Sequence, residues 1–178
     1  GGVWTAGSNV DGLLGRETSN NSADWRLTKV RVNAKIVAAA GGQRHTVLLD
    51  EDGNVWTAGS NQYGQLARNT TTSTNSTFRK ADLPDGIKIK AVAAGYYHTI
   101  LIDTDGGVWT AGQNRFGQLG RSENAGSTKA NKTFKRIEGD GVDGVKFTAA
   151  AAGCYHTMLL DADGNVWTAG TNNYKAIG

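Results

Sequence analysis

The pentapeptide Val-Trp-Thr-Ala-Gly occurs four times in this chain of 178 residues, at spacings of 52, 53 and 58 residues. The dipeptide His-Thr stands 11 residues before three of the tryptophans, and an Asp-x-Asp-Gly sequence lies between the two markers each time. Recurrence at this period indicates a chain built from copies of one supersecondary unit. The tryptophans are Trp4, Trp56, Trp109 and Trp167, and the histidines are His45, His98 and His156.

Each copy predicts a β-hairpin, because two short apolar runs rich in β-branched residues flank a turn sequence. Asp and Gly suit that turn, since Asp bonds to nearby backbone amides and Gly accepts a positive φ. A third strand is predicted in an alanine-rich run before each His-Thr, and a fourth around a large aromatic that is followed by a basic residue. The alanine-rich runs begin at Ile36, Ile89 and Phe147, and the aromatics are Trp25, Phe78 and Phe134.

Four short strands in roughly 50 residues are typical of a propeller blade, so the predicted fold is all-β, a β-propeller with about three and a quarter blades in this chain. The predicted boundaries follow the markers: 1–15 ends a preceding blade, and 16–67, 68–120 and 121–178 are blades of one partial propeller domain. Closed propellers have about four to eight blades. We therefore expect the rest of the ring to come from the same polypeptide or from another copy of the chain.

Three motifs carry a resemblance to a known family. They are Gly-x-x-His-Thr, Asp-Gly-x-Val-Trp and Asn-x-Tyr/Phe-Gly-Gln-Leu, the last at 61–66 and 114–119. Together they resemble the regulator of chromosome condensation repeat family, and the resemblance covers essentially the whole chain. It implies a ring that is typically seven-bladed. Departures occur at Leu13, Ala67, Lys175 and Ile177, and the motifs of WD and kelch propellers match less well.

Composition limits the setting of the protein. No apolar run approaches the 18 to 20 or so residues that a membrane-spanning helix needs, so no membrane is expected. The single cysteine, Cys154, rules out an internal disulfide framework and a multi-cysteine zinc site. It favours an intracellular location without deciding the compartment.

The repeated polar residues predict structure rather than catalysis. Catalytic groups are seldom copied into every unit, so each His is predicted to be buried at a strand start, bonded to backbone or to the Thr that follows it. The Asp-x-Asp-Gly sequences lack the twelve-residue loop and terminal Glu of a calcium site and predict hairpin turns. No metal, cofactor or catalytic residue is predicted.

Charge is distributed unevenly along each unit. Segments 16–35, 68–90 and 121–146 contain 16 Lys and Arg against 8 Asp and Glu, whereas the remainder contains 3 against 8. Because these segments are equivalent in successive units, their charge is expected to collect on one face or rim, with the acidic turns elsewhere. Such a surface attracts an acidic protein or a nucleic acid. The alternative is that these lysines and arginines only keep the loops soluble.

Eight residues are candidates for binding a partner. Five are basic, near the predicted outer strands: Arg26, Arg79, Lys80, Lys135 and Arg136. Three are tyrosines in the variable positions of Gly-x-x-His-Thr: Tyr96, Tyr97 and Tyr155. Packing between blades is an alternative explanation for the tyrosines.

The leading functional hypothesis is a non-catalytic interaction propeller that recognises a macromolecular partner through its loops, alone or as a subunit of a larger assembly, because all the regularity lies in the frame and all the variation in the loops. The resemblance implies a second one, guanine-nucleotide exchange on a small GTPase. Lesser alternatives are a protein inhibitor and a propeller that binds chromatin or nucleic acid.

Overall fold

The computed structural model describes residues 2–18, 23–70, 72–139 and 141–172. These residues form thirteen β-strands and one short 3-10 turn, Val10–Gly12. The strands are β1 (Val3–Ser8), β2 (Ala23–Val30), β3 (Ile36–Gly41), β4 (His45–Asp50), β5 (Val55–Ser60), β6 (Thr74–Lys80), β7 (Ile89–Ala94), β8 (His98–Asp103), β9 (Val108–Gly112), β10 (Asn131–Arg136), β11 (Phe147–Ala152), β12 (His156–Asp161) and β13 (Val166–Gly170). The described part of the chain contains no helix long and apolar enough to cross a membrane. Lys175 and Ile177 lie outside the described residues.

The predicted hairpins are confirmed, and their turns form for the expected reason. In the turn between β4 and β5, Asp50 Oδ1 accepts hydrogen bonds from the backbone amides of Asp52 and Asn54, at 3.1 and 2.8 Å. Gly53 has a φ of +78°, a backbone conformation that residues with a Cβ seldom adopt. Thus the first Asp of Asp-x-Asp-Gly holds the turn with its own carboxylate.

The strands are grouped into antiparallel sheets of the propeller type. Two sheets have four strands, in the orders β3-β4-β5-β6 and β7-β8-β9-β10, while β11-β12-β13 and β1-β2 are shorter. Sheets and sequence units are out of phase by one strand, because the outer strand at the start of each unit pairs with the tryptophan strand of the preceding unit. The units 16–67, 68–120 and 121–178 therefore each contribute to two sheets. The tryptophan strand would otherwise have an unpaired edge, and the strand that follows it along the chain covers that edge.

Apolar clusters between consecutive sheets form the core. One joins Val47 and Leu49 of the first complete sheet to Ile89, Leu101 and Phe134 of the second. Further clusters lie between the second and third sheets and between the β1-β2 pair and the first. Burial of aliphatic and aromatic side chains on both faces of a blade explains why the apolar runs of β4 and β8 show little alternation.

The innermost strands approach one another closely, as their small residues predict. The amide of Gln43 donates to the carbonyl of Gly95 in the next sheet at 3.3 Å, and Tyr96 donates to Cys154 at the same distance. A Cβ on Gly42 would collide with the Gly95 carbonyl oxygen and lie 2.8 Å from Nδ1 of His45. Position 42 therefore accepts only glycine, because the backbone of the next blade and the ring of His45 leave no space for a Cβ.

Three of the repeated tryptophans, Trp56, Trp109 and Trp167, lie between blades and are half-buried. The fourth, Trp4, is 55% exposed. Trp109 packs against the cluster between the first two complete sheets, and Trp167 against the next one. The indole Nε1 atoms of Trp56, Trp109 and Trp167 donate to the carboxylates of Asp50, Asp103 and Asp161 at 2.9, 2.8 and 2.8 Å. Each hairpin therefore has one Asp that holds both its turn and its tryptophan.

Candidate interaction surface

His45 and His98 link neighbouring blades, and the predicted bond of each to the adjacent Thr is wrong. The prediction that every His is buried is also wrong for His156, which is half-buried. Nε2 of His45 lies 2.9 Å from Oγ1 of Thr99 in the next blade, and that hydroxyl donates to the carbonyl of Gln65 at 2.7 Å. His98 and Thr157 repeat the pattern at 3.2 Å, with Thr157 donating to Gln118. Since the hydroxyl proton is directed at the carbonyl, the Thr oxygen accepts the proton of Nε2, and each ring is a neutral tautomer protonated there. Sequence spacing gave no means of seeing a partner more than 50 residues away.

Burial holds these histidines neutral. Removal from water and the nearby His98 lower the pKa of His45 to about 3. Burial and His156 lower the pKa of His98 to about 4. Both side chains are fully enclosed. Their hydrogen bonds and their protonation state suit a structural link between blades.

An arginine at the start of each unit fills the gap between the tryptophan strand and the outer strand. The register of β5 and β6 shifts between Thr57 and Gly59, where a β-bulge breaks the ladder. Nη1 of Arg68 donates to the carbonyl of Thr57 at 2.9 Å and reaches that of Thr77 at 3.5 Å. Burial lowers the pKa of Arg68 to about 10, well within the charged range at neutral pH.

Arg16 and Arg121 occupy the corresponding places, donating to the carbonyls of Thr5 and Thr110 at 3.1 and 3.3 Å. This role was not predicted from the sequence, although a basic residue follows Gly15, Ala67 and Gly120 in all three copies. The recurrence of a basic residue at the start of each unit was the signal in the sequence that could have identified this role. These three arginines therefore belong to the frame.

The five basic candidates all lie on the outer strands, at the rim of the propeller. All are exposed. Lys80 and Arg136 pair with Trp56 and Trp109 across the ladder, near the hairpin-turn end of their sheets. The Nζ atom of Lys80 lies 5.5 Å from the Trp56 ring centroid, and Lys135 pairs with Glu123 at 2.8 Å. Part of the excess positive charge of the variable segments therefore lies on these outer strands, where it forms a basic rim.

Trp25 and Arg26 are not the equivalents of Phe78 and Arg79. In the β1-β2 pair, Lys29 lies opposite Trp4, and Thr28 lies opposite Thr5. In the β5-β6 pair, Lys80 lies opposite Trp56, and Arg79 lies opposite Thr57. Lys29 is thus equivalent to Lys80, and Thr28 to Arg79. The residue equivalent to Phe78 is therefore Leu27, and the predicted alignment was two residues out of register. The error arose because Trp-Arg resembles Phe-Arg in composition, whereas register is decided by the pairing with β1.

The three tyrosines lie together on one face, and two further aromatics extend them into a continuous row. Successive ring centroids are 5.1 Å apart for Tyr63–Tyr97, 6.2 Å for Tyr97–Tyr96, 5.3 Å for Tyr96–Tyr155 and 5.0 Å for Tyr155–Phe116. Every pair meets edge to face. We call these five residues the aromatic row. It spans the loops of three units, which is why no single unit of the sequence revealed it.

The row is a surface feature as well as a packing feature. Its four tyrosines are half-buried, and Phe116 is 40% exposed. Tyr63 and Phe116 come from the Asn-x-Tyr/Phe-Gly-Gln-Leu turns, in which Asn61 and Asn114 accept hydrogen bonds from the amides of Leu66 and Leu119, both at 3.0 Å. These rigid turns fix where the two rings stand. In the sequence this motif indicated only the family, so neither ring was among the predicted candidates.

Two arginines flank the row. Arg44 is held at one side by Asp11, with Nη1 and Oδ2 3.0 Å apart, and the pKa of Arg44 is raised by Asp11 and by the neighbouring Tyr97. Arg115 is exposed at the other end, with its guanidinium carbon 5.6 Å from the Phe116 ring centroid. Neither arginine was among the predicted candidates, because both lie outside the basic segments.

The two ends of the propeller differ in charge. The loops that share the end of the aromatic row carry six basic and three acidic residues; they are 9–18, 42–44, 61–70, 95–97, 113–130 and 153–155. Those at the opposite end carry eight acidic and four basic residues among the described ones; they are 31–35, 51–54, 81–88, 104–107, 137–146 and 162–165. The structure thus separates the candidates into a basic rim and a tyrosine-bearing end, and does not bring the two sets together.

Family models match most of the chain. Two models described as the regulator of chromosome condensation (RCC1) repeat match it, one at 36–65 and 89–118 and the other at 52–102 and 105–160. Together the matched residues include both complete four-stranded sheets except Asp103 and Thr104 at one hairpin turn, so family pattern and fold agree.

Curated relatives extend the same similarity over the full chain. A protein named Regulator of chromosome condensation from Xenopus laevis is 29% identical over 191 residues, which is 100% of this chain and 44% of the relative. The Ultraviolet-B receptor UVR8 of Arabidopsis thaliana is 27% identical over 178 residues, covering 100% of this chain and 39% of the receptor. The chain spans less than half the length of these relatives.

Solved structures show the same fold. Human WBSCR16 has a TM-score of 0.82 at 19% identity, over 97% of this chain and 44% of that structure. Prp20p from Saccharomyces cerevisiae, whose structure was described with its binding properties to Gsp1p and histones, has a TM-score of 0.79 at 26% identity, over 96% of this chain and 41% of that one. The arrangement of sheets described above is therefore that of a known class of propeller.

Proposed function

Because the chain belongs to the regulator of chromosome condensation repeat family, we propose that it is part of a non-catalytic propeller that binds a partner protein through the aromatic row. The row is the observation that carries this proposal. Five rings from three units stand side by side at one end of the molecule, and tyrosine is among the residue types most enriched where proteins bind one another.

The use of the repeated polar residues supports the same conclusion. The His-Thr pairs link blades, the Asp residues hold turns and tryptophans, and the arginines at the unit starts bridge strands. These groups are engaged by the frame itself. What varies between units is the set of side chains at the end of the aromatic row, such as Gln43, Tyr96 and Cys154.

The test is capture of a partner by the full chain and by a variant with Tyr96→Ala and Tyr155→Ala. Removal of two central rings is expected to abolish capture, because central aromatic residues dominate the free energy of many interfaces. The matched control is Arg79→Ala, which truncates an exposed rim residue remote from the row. Equal capture by the double variant and the wild-type chain, with both folded by circular dichroism, would disprove this use of the row.

A second candidate function is guanine-nucleotide exchange on a small GTPase. It is favoured by the relatives named Regulator of chromosome condensation and by the solved structure of Prp20p, described with its binding to Gsp1p. Fold similarity alone does not establish activity, so this candidate depends on measurement. Release of a fluorescent guanine nucleotide from a panel of small GTPases should accelerate when the chain is added, and unchanged release across the panel would remove the candidate.

A further inference from the structure

The spacing of the aromatic row suits contact with an extended peptide. Its four centroid-to-centroid steps each lie between 5.0 and 6.2 Å. An extended chain advances about 3.3 Å per residue, so each step corresponds to about two residues of an extended segment. The row begins at Tyr63 beside the first complete sheet, reaches the third at Tyr155 and ends at Phe116 beside the second, so a segment that follows it contacts three blades.

Charge at this end of the molecule selects an anionic ligand. Arg115 is exposed beside Phe116, and Arg44 stands beside Tyr97 with one amino group bonded to Asp11. The remaining guanidinium donors and the phenolic hydroxyls of the tyrosines are suited to carboxylate oxygens. The opposite end carries the acidic turns, so the field of the molecule disfavours an anionic ligand there and favours the row and the neighbouring basic rim.

Ring geometry distinguishes a peptide from a nucleic acid. Single-stranded nucleic acids stack their bases on open aromatic faces. In the row, neighbouring rings meet at interplanar angles of 65°, 83°, 70° and 60°, so the edge of one ring covers part of the face of the next. Ring edges, phenolic hydroxyls and flanking guanidinium groups suit side chains and carboxylates better than stacked bases.

We propose that the aromatic row binds an extended acidic peptide segment of a partner protein, with Arg44 and Arg115 pairing with carboxylates near the two ends of the row. This inference rests on the proposed function and adds the chemistry of the ligand. The rings supply apolar contact with the segment, and the arginines set its charge preference and orientation.

The experiment uses a displayed library of random ten-residue peptides, selected on the full chain. Peptides enriched by the wild-type chain are expected to contain an excess of Asp and Glu around a short apolar centre. The strongest are then synthesised, and their affinities are measured for the wild-type chain and for a variant with Arg44→Gln and Arg115→Glu. Affinity should fall at least fivefold in this variant, because both cationic groups are removed. The matched control is Arg31→Gln with Lys88→Glu, the same change in charge on two exposed residues at the opposite end of the molecule, which should alter affinity less than twofold.

The proposal would be overturned if the selected peptides contained no acidic residues. It would also be overturned if acidic peptides were selected but bound the Arg44→Gln, Arg115→Glu variant as tightly as the wild-type chain. A third result against it is tighter binding of a twelve-nucleotide oligothymidine than of any selected peptide, with loss of that binding on Tyr96→Ala and Tyr155→Ala. If partner capture depends on those tyrosines while no acidic peptide is selected, the proposed function stands and the peptide inference fails.

Discussion

At the scale of single residues, the chain places ionisable groups inside the frame and holds them in one protonation state. His45 and His98 are enclosed, and each donates from Nε2 to a Thr of the next blade. Since a protonated ring would place a charge between two blades, folding favours the neutral form and lowers both pKa values.

These histidines predict a loss of stability on acidification. Their folded pKa values lie below the ordinary value near 6.5, so the unfolded chain binds more protons between that pH and about 4. The free energy of unfolding is therefore complete above pH 6.5 and declines as the pH falls. Between pH 7.5 and 5, each histidine should contribute a loss of about 2 kcal/mol, measured by urea unfolding.

The control for this pH effect is His98→Gln. The variant should be less stable at pH 7.5, because its link to Thr157 is altered, but it should lose less stability than the wild-type chain on going to pH 5. A hydrogen-bonded carboxylate such as Asp161, whose pKa is lowered to about 2 by hydrogen bonds from Trp167 and Asn165, loses its stabilising effect below about pH 4, outside this window. Equal pH dependence in wild type and variant would contradict the assignment of the effect to buried histidines.

At the scale of elements, each tryptophan strand binds a blade to the one before it. Trp109 of β9 packs on the cluster shared by the first two complete sheets and also donates to Asp103 of its own hairpin. Trp109→Ala should lower the free energy of unfolding by about 3 kcal/mol, the lower end of the range for a large aromatic, because the ring is only half-buried. Thermal or urea unfolding measures this change.

Trp109→Phe separates the two contributions of that side chain. It retains most of the apolar contact and removes the hydrogen bond to Asp103, so its cost should be clearly smaller than that of Trp109→Ala. If both variants unfold like the wild-type chain, Trp109 does not hold the two blades together.

Most strands of this fold could be predicted from the sequence, but the pairing of the outer strands could not. The hairpins, the alanine-rich inner strands and the propeller class were predicted, because turn chemistry and apolar runs are local properties. The phase of the sheets and the equivalence of Trp25 with Phe78 were wrong, because the edge that a strand joins and its register depend on pairing with another segment. Local composition contains no information on that choice.

At the scale of the whole molecule, charge is arranged in three zones. The rim strands are basic, the hairpin-turn end is acidic, and the end with the aromatic row carries a small positive excess. Long-range fields of this kind affect the rate of encounter more than the final contacts.

The rim therefore predicts a kinetic effect. A variant with Arg79→Glu and Lys135→Glu should associate several-fold more slowly with an acidic partner bound at the aromatic row, with little change in the dissociation rate or the melting temperature. Surface plasmon resonance at 50 and 200 mM salt measures this, and the difference from the wild-type chain should shrink at the higher salt. An association rate identical to that of the wild-type chain at low salt would mean that the rim lysines and arginines serve only solubility.

The candidate site itself was half visible in the sequence. Tyr96, Tyr97 and Tyr155 were identified because they occupy variable positions beside an invariant motif. Tyr63, Phe116 and Arg115 were not, because they come from a different loop of each unit, and only the stacking of blades brings them to the tyrosines. Arg44 occupies the same variable position as Tyr97, but it lies outside the basic segments and was not selected as a basic candidate.

By itself, the sequence determined the frame of this protein: the period, the hairpins and the family to which the repeats belong. Each of these depends on interactions between residues near in sequence, and the four copies of Val-Trp-Thr-Ala-Gly make the same local pattern recur along the chain. The tertiary structure alone decided which strand closes each sheet, which Thr each buried His binds, and which rings stand in the aromatic row. Those depend on contacts between blades about 50 residues apart, where packing and register, rather than local preference, select the partner.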